Sequence, residues 1–156
     1  MTPAIRLLER NAIPHEVLQY THDPKVAAYG EEAVTALGLT PESVFKTLLA
    51  QLDDGRLVIA LVPVMATLDL KGLAKAAGAR KAKMADPTLA ERTTGYVVGG
   101  ISPLGQRKRL PTFVDDSARA LSSLYVSGGR RGLEICLAPT ALIALLEATT
   151  APLART

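Results

Sequence analysis

Apolar and polar positions along this chain switch repeatedly between a helical and a strand period. Ile5, Leu7, Leu8 and Ile13 form a helix-like stripe behind Thr2-Pro3, a capping side chain followed by a proline at the first helical position. A first helix is expected to end near Asn11. His15 to Tyr20 reads as a short strand, and Glu31 to Leu37 as a helix stopped by Gly38. Thr40-Pro41-Glu42-Ser43 repeats the cap-and-proline signal and should form a helical turn leading into the apolar run Val44 to Leu52. Asp53-Asp54-Gly55 separates that run from Arg56 to Pro63, the pattern of an antiparallel hairpin with a short glycine-containing loop.

Asp69 can cap a helix running through Ala77 and ended by Gly78, and Asp86-Pro87 another through Arg92 that stops near Gly95. From Tyr96 onward, short β-rich pieces alternate with Gly and Pro turns: Tyr96 to Val98, Thr112 to Asp115, Ser123 to Ser127 and Leu133 to Leu137. Pro139 opens a final helix through Glu147 with Leu142, Leu145 and Leu146 inward, and the residues after Pro152 are expected to fray. Strands and helices mix without a regular βαβ repeat, which predicts an α+β fold: a mostly antiparallel or mixed sheet with helices around it. No linker or repeat interrupts the 156 residues, so one domain should span residues 1–156.

Composition narrows the function classes. With no Trp, two Phe and four Tyr, the core must be aliphatic, and aromatic platforms for base stacking are not expected. The longest apolar run, Leu57 to Ala66, falls short of the roughly 20 residues of a membrane span and contains a proline. Met1 to Asn11 lacks the continuous apolar stretch of a secretory signal, so a cytoplasmic location is expected. The one cysteine, Cys136, lies in an apolar strand and permits neither an intrachain disulfide nor a cysteine-built metal site, and two histidines are too few to argue for zinc. No metal or cofactor is expected. Net charge is only +3, but Lys71 to Arg131 holds twelve bases against four acids, and the rest of the chain is net acidic. Such a basic half either attracts a polyanion or is simply a solvated face.

Three segments could carry chemistry. Lys46 shares a strand face with Val44, Leu48 and Ala50, an apolar row in which an ammonium is costly unless paired or functional. It could alternatively snorkel to water from the strand end. Gly99-Gly100-Ile101-Ser102-Pro103 could turn backbone N–H groups toward an oxyanion or phosphate, or could be an ordinary turn. Ser127-Gly128-Gly129-Arg130-Arg131-Gly132 reads as a hairpin loop whose hydroxyl and guanidinium groups suit a phosphate or a ribose. His22 in Thr21-His22-Asp23-Pro24 is read as part of a turn rather than as a base. The chain contains no nucleophile-elbow motif.

Six ordered motifs go further than any one of these: Tyr20 to Pro24, Phe45-Lys46-Thr47-Leu48-Leu49, Leu68-Asp69-Leu70-Lys71, Met84-Ala85-Asp86-Pro87, Thr94 to Pro111 and Tyr125 to Gly132. Together they resemble the YbaK/EbsC family of aminoacyl-tRNA deacylases along nearly the whole chain. The resemblance implies a bent, partly closed mixed sheet surrounded by helices, and removal of cysteine mischarged onto proline transfer RNA by prolyl-tRNA synthetase, the expected partner. It implies RNA rather than DNA as the polyanion. It makes Lys46 the catalytic residue and Tyr20 and Thr47 its neighbours. Gly99, Gly100 and Ile101 would supply backbone donors, Ser127, Gly128 and Gly129 would contact the terminal adenosine, and Arg130 would meet a phosphate. In similar proteins the substrate's own thiol is the nucleophile. Phe45 and Glu134 depart from the family's usual Tyr and Asp. Two other readings stay open: removal of alanine with water as nucleophile, and a non-catalytic module that binds transfer RNA or a synthetase through the basic face.

Overall fold

Residues 1–156 are described by a computed structural model. Thr2 caps helix α1 (Pro3–Arg10) by accepting from the Ile5 N–H, and the helix buries Ala4 and Leu8. Strand β1 (Glu16–Gln19) and helix α2 (Tyr29–Leu37) follow, with Gly38 left-handed at φ 65° to end the helix. A 3-10 turn at Pro41–Ser43 leads into β2 (Phe45–Leu52) and β3 (Leu57–Pro63). Next come β4 (Thr67–Leu68), α3 (Leu70–Ala76) capped by Asp69, β5 (Ala82–Met84) and α4 (Pro87–Thr94) capped by Asp86. The remainder is β6 (Thr112–Asp115), β7 (Leu124–Ser127), β8 (Leu133–Leu137), α5 (Pro139–Leu146), β9 (Thr149–Ala151) and β10 (Ala154–Arg155).

Five strands form the main sheet in the order β5-β2-β3-β6-β9, with β5, β2 and β3 antiparallel and β3, β6 and β9 parallel. A second, antiparallel sheet runs β1-β8-β7, and one bridge between Val44 and Tyr125 joins the two. The architecture is thus the mixed α+β class expected. Each face of the main sheet has its own core. Phe45, Leu61 and Val114 pack with Leu8, Leu124, Val126, Ile135 and Leu142 on one side. Ala50, Val58, Ala60, Val62 and Phe113 pack with Leu73 and Leu153 on the other.

Two expectations are overturned. Tyr96 to Val98 is a loop, not a strand: the Tyr96 N–H bonds Thr94 Oγ1, the Val98 N–H bonds Glu91 Oε2, and the buried Tyr96 hydroxyl donates to the Leu104 carbonyl at 2.7 Å. Side chains thus take backbone partners that a sheet would otherwise supply, and the apolar ring anchors the loop instead. The C-terminus is not frayed. Leu153 is fully buried, β10 pairs with β4, and Asp115 accepts the N–H groups of Leu153 and Ala154, each at 2.8 Å. No helix is long and apolar enough to cross a membrane.

Candidate active site

The seam between the sheets positions the site. Strand β5 pairs only with Ala50, Gln51 and Leu52, while β7 forms a single bridge to Val44, the residue before β2. The stretch of β2 between them is therefore unpaired on that side. Leu49 C=O accepts from Ala85 N–H across this edge, so Thr47, two residues earlier, also directs its backbone groups away from β3. A cavity of about 440 Å³ lies here, and both Lys46 and Thr47 line it. Their side chains belong to opposite faces of the strand, so the cavity wraps around the open edge itself.

Lys46 makes no ion pair within the cavity. Burial pushes its pKa below the usual lysine range, with the Glu31 carboxylate opposing the shift. Thr47 Oγ1 is buried without a hydrogen-bond partner. Opposite, β8 contributes Glu134, which is 8% exposed and has one carboxylate oxygen, Oε2, equally partnerless. Burial pushes Glu134 up to about 8, so the group is largely a neutral acid at neutral pH. Two orphaned polar atoms on residues that line one cavity are unusual, because buried groups of this kind nearly always find partners within the protein.

The glycine loops close the cavity. Gly99 and Ile101 line it, and neither N–H has an acceptor in the protein. The Gly100 N–H, in contrast, turns back to the Val97 carbonyl at 2.8 Å, so Gly100 is not available as a donor. Its role in the fold is close approach: a Cβ there would sit 2.6 Å from Arg130 Cα. Ser127 lines the cavity, and its Oγ accepts from the Gly129 N–H at 3.2 Å, while Gly128 N–H is held by Leu133 C=O. Arg131 clamps the loops together, donating to Val98 C=O at 2.7 and 2.9 Å and stacking 4.8 Å over the Tyr29 ring. Arg130 is exposed, and no hydrogen bond or ion pair holds its side chain.

Tyr20 follows β1, its N–H bonded to Gly132 C=O, on the same sheet face as Glu134, but contrary to expectation it does not line the cavity, and neither do Gly100, Gly128, Gly129 and Arg130. Burial, aided by the Glu134 and Glu32 carboxylates, raises its hydroxyl to about 12, so it stays a neutral donor. His22 is not at the cavity. Its Nδ1 pairs with Glu32 Oε1 at 2.7 Å, and Asp23 makes the turn to Lys25 N–H. No histidine or carboxylate hydrogen-bonds Ser127 or Thr47, so neither hydroxyl is an activated nucleophile. The cavity can bind, polarise and orient, and it has no activated hydroxyl to attack.

Sequence reasoning named Glu134 only as a departure from the family's usual Asp and not among the site residues, though a second signal was present. A carboxylate in the apolar strand Leu133-Glu134-Ile135-Cys136-Leu137 is the same anomaly as Lys46 in its own strand. Glu31 and Tyr29 gave no signal, because their position depends on where α2 begins.

Comparison with known proteins converges on this site. The profile of the aminoacyl-tRNA editing domain matches residues 23–145, which includes every cavity-lining residue. The chain belongs to the aminoacyl-tRNA editing domain family. Within that family it is similar to EbsC of Enterococcus faecalis, a candidate Cys-tRNA(Pro)/Cys-tRNA(Cys) deacylase, at 36% identity over 92% of this chain and 87% of that one. The editing-domain fold recurs in a solved candidate trans-editing enzyme for prolyl-tRNA synthetase, 24% identical, with a TM-score of 0.85 over 100% of this chain and 99% of that one. It recurs again in a hypothetical protein, 21% identical, with a TM-score of 0.88 over 99% and 100% of the two chains.

Proposed function

We propose that this protein is a trans-editing deacylase that removes cysteine from mischarged proline transfer RNA. The observation that carries the reading is a cavity combining the Lys46 ammonium with partnerless donors at Gly99 and Ile101, yet without an activated hydroxyl or thiol. Such a site suits a substrate that supplies its own attacking group. The cysteinyl sulfur attacks the ester carbonyl carbon, and the developing oxyanion is met by the Gly99 and Ile101 amides and the Lys46 charge. The bond to the ribose oxygen then breaks, that oxygen takes the thiol proton, and a four-membered thiolactone leaves to be opened by water. No protein residue is covalently modified at any step.

Lys46 anchors the acceptor end, and Thr47 Oγ1, Tyr20 and Glu134 offer polar contacts to the aminoacyl group. Ser127, with the backbone of Gly128 and Gly129, receives the terminal adenosine, and Arg130 faces its phosphate. Gly100 holds the two loops together rather than donating. Prolyl-tRNA synthetase, the source of the mischarged RNA, is the partner. Cysteine and proline are close enough in size that a synthetase pocket separates them by only a modest factor, which is why a separate editing step is needed. Single-turnover deacylation of proline transfer RNA charged with cysteine, alanine, serine or proline tests the reading. Rapid loss of cysteine alone is expected. Comparable loss of alanine would remove the substrate thiol from the mechanism.

A further inference from the structure

A second cavity of about 450 Å³ lies between α1, the loop from Pro103 to Leu110, and α5. Its charged lining residues are Arg6, Arg10 and Arg109, with no carboxylate among the lining residues. Arg6 and Arg10 are four residues apart on α1, hence one turn apart on the same face. The facing loop is held rigidly. Gly105 adopts φ 67° so closely against α1 that a Cβ would meet Pro3 backbone atoms at 2.7 Å, and Gln106 Nε2 donates to Ser102 C=O at 2.9 Å. Arg107 and Lys108 add exposed charge beside it. Glu147 reaches Arg109 at 3.3 Å, but both side chains are well exposed, so the pair is worth little, and Glu9 on α1 is exposed and pairs with neither of its neighbouring arginines. Three arginines thus line one groove that no carboxylate lines, Arg6 donating to the Met1 carbonyl at 3.0 Å.

The groove adjoins the active-site cavity through a thin wall. Ile101 lines one and Pro103 the other, so at most about 7 Å of chain separates them. On the other side of the wall, Thr2 donates to the Gly128 carbonyl, beside Ser127 of the active site, while its neighbour Pro3 lines the groove. A polyanion whose end occupies the cavity therefore has the groove within reach.

We infer that the Arg6, Arg10 and Arg109 groove binds the phosphodiester backbone of the transfer RNA acceptor arm while its 3′ end is in the editing cavity. This rests on the proposed deacylase function, and it assigns affinity to a site separate from the one that cleaves. All three arginines are exposed, so glutamine substitutions should leave the fold intact.

The test is binding of uncharged transfer RNA as a function of salt, together with deacylation of full-length Cys-tRNA and of a charged acceptor-end fragment too short to reach the groove. Each Arg→Gln change should weaken transfer RNA binding and lower the slope of log affinity against log salt by roughly one, with lysine at the same position restoring the slope. KM for full-length substrate should rise, while the saturated cleavage rate and the rate on the fragment stay unchanged. An unaltered salt slope would overturn the inference. So would variants that keep normal transfer RNA affinity but lose a complex with prolyl-tRNA synthetase, which would give the groove to a protein partner. An arginine-dependent slope without any deacylation would refute the activity and leave the groove standing.

Discussion

Replacing Lys46 with methionine should make the protein more stable and reduce its activity by orders of magnitude. Methionine keeps the unbranched stem and removes the ammonium, which burial disfavours and no carboxylate pairs with. Relieving such a functional compromise commonly yields about 0.5–2 kcal/mol. In a domain of this size, each kcal/mol corresponds to about 2–4 °C in Tm. The pH dependence identifies the cause. With the folded-state pKa lowered, the unfolded chain binds the extra proton between the two pKa values, so wild-type stability rises with pH across that window. The advantage of Lys46→Met should therefore be full at neutral pH and disappear as pH passes the ordinary lysine range. Loss of one charge-stabilising donor should cost about 10²–10³ in the single-turnover rate. Thermal unfolding at several pH values and deacylation of Cys-tRNA(Pro) read the two arms. A variant that is destabilised yet active would show that Lys46 serves packing through its stem, and would refute the reasoning.

Three further outcomes are expected. Glu134, held neutral up to about 8, should make wild-type stability decline as pH climbs from the carboxylate range toward that value. Glu134→Gln should then gain on wild type by up to a few kcal/mol at pH 8 and by nothing near pH 4, measured by denaturant unfolding. Gly100→Ala places a Cβ 2.6 Å from Arg130 Cα and 2.9 Å from Arg131 N, so it should separate the two loops and reduce deacylation strongly while Lys46 is untouched. Asp115→Ala should cost about 3 kcal/mol by orphaning the N–H groups of Ser117, Leu153 and Ala154 and should raise hydrogen exchange in β10. Burial opposes ionisation of Asp115, but those donors prevail and hold its pKa low, so this contribution is lost only as pH falls through the acid range.

The legible parts of the fold were those with local causes. The caps at Thr2, Asp69 and Asp86 each make the expected bonds to backbone N–H groups, and the hairpin of β2 and β3 follows its Asp-Asp-Gly loop. The C-terminal strand was illegible, because what orders it is Asp115, 38 residues earlier in the chain. Lys46 stood out because an ammonium in an apolar strand breaks a local rule. Which amides of the glycine loop are free did not, since two glycines and an isoleucine look alike in sequence until the Gly100 N–H is seen turned to Val97. That Lys46 and Thr47 share one cavity was implied by the family resemblance but not by the strand pattern. Alternation puts them on opposite faces, and only the missing strand neighbour lets a single cavity reach both.

That missing neighbour explains why the site can exist in so small a domain. An unpaired strand edge invites pairing with another chain, and proteins usually cover or shorten such edges. Here the edge is partly covered by loops from elsewhere in the fold, the Val98 to Ile101 segment and the start of α2, fastened by Arg131 through Val98 and Tyr29. The cover excludes a neighbouring strand while leaving the Thr47 hydroxyl and the Glu134 carboxyl unsatisfied. Both groups lower stability as they stand. Under the proposed function, a polar aminoacyl end that reached them on entering the cavity would recover that cost as binding energy, the arrangement expected of a protein that orients a reaction in which the substrate performs the attack.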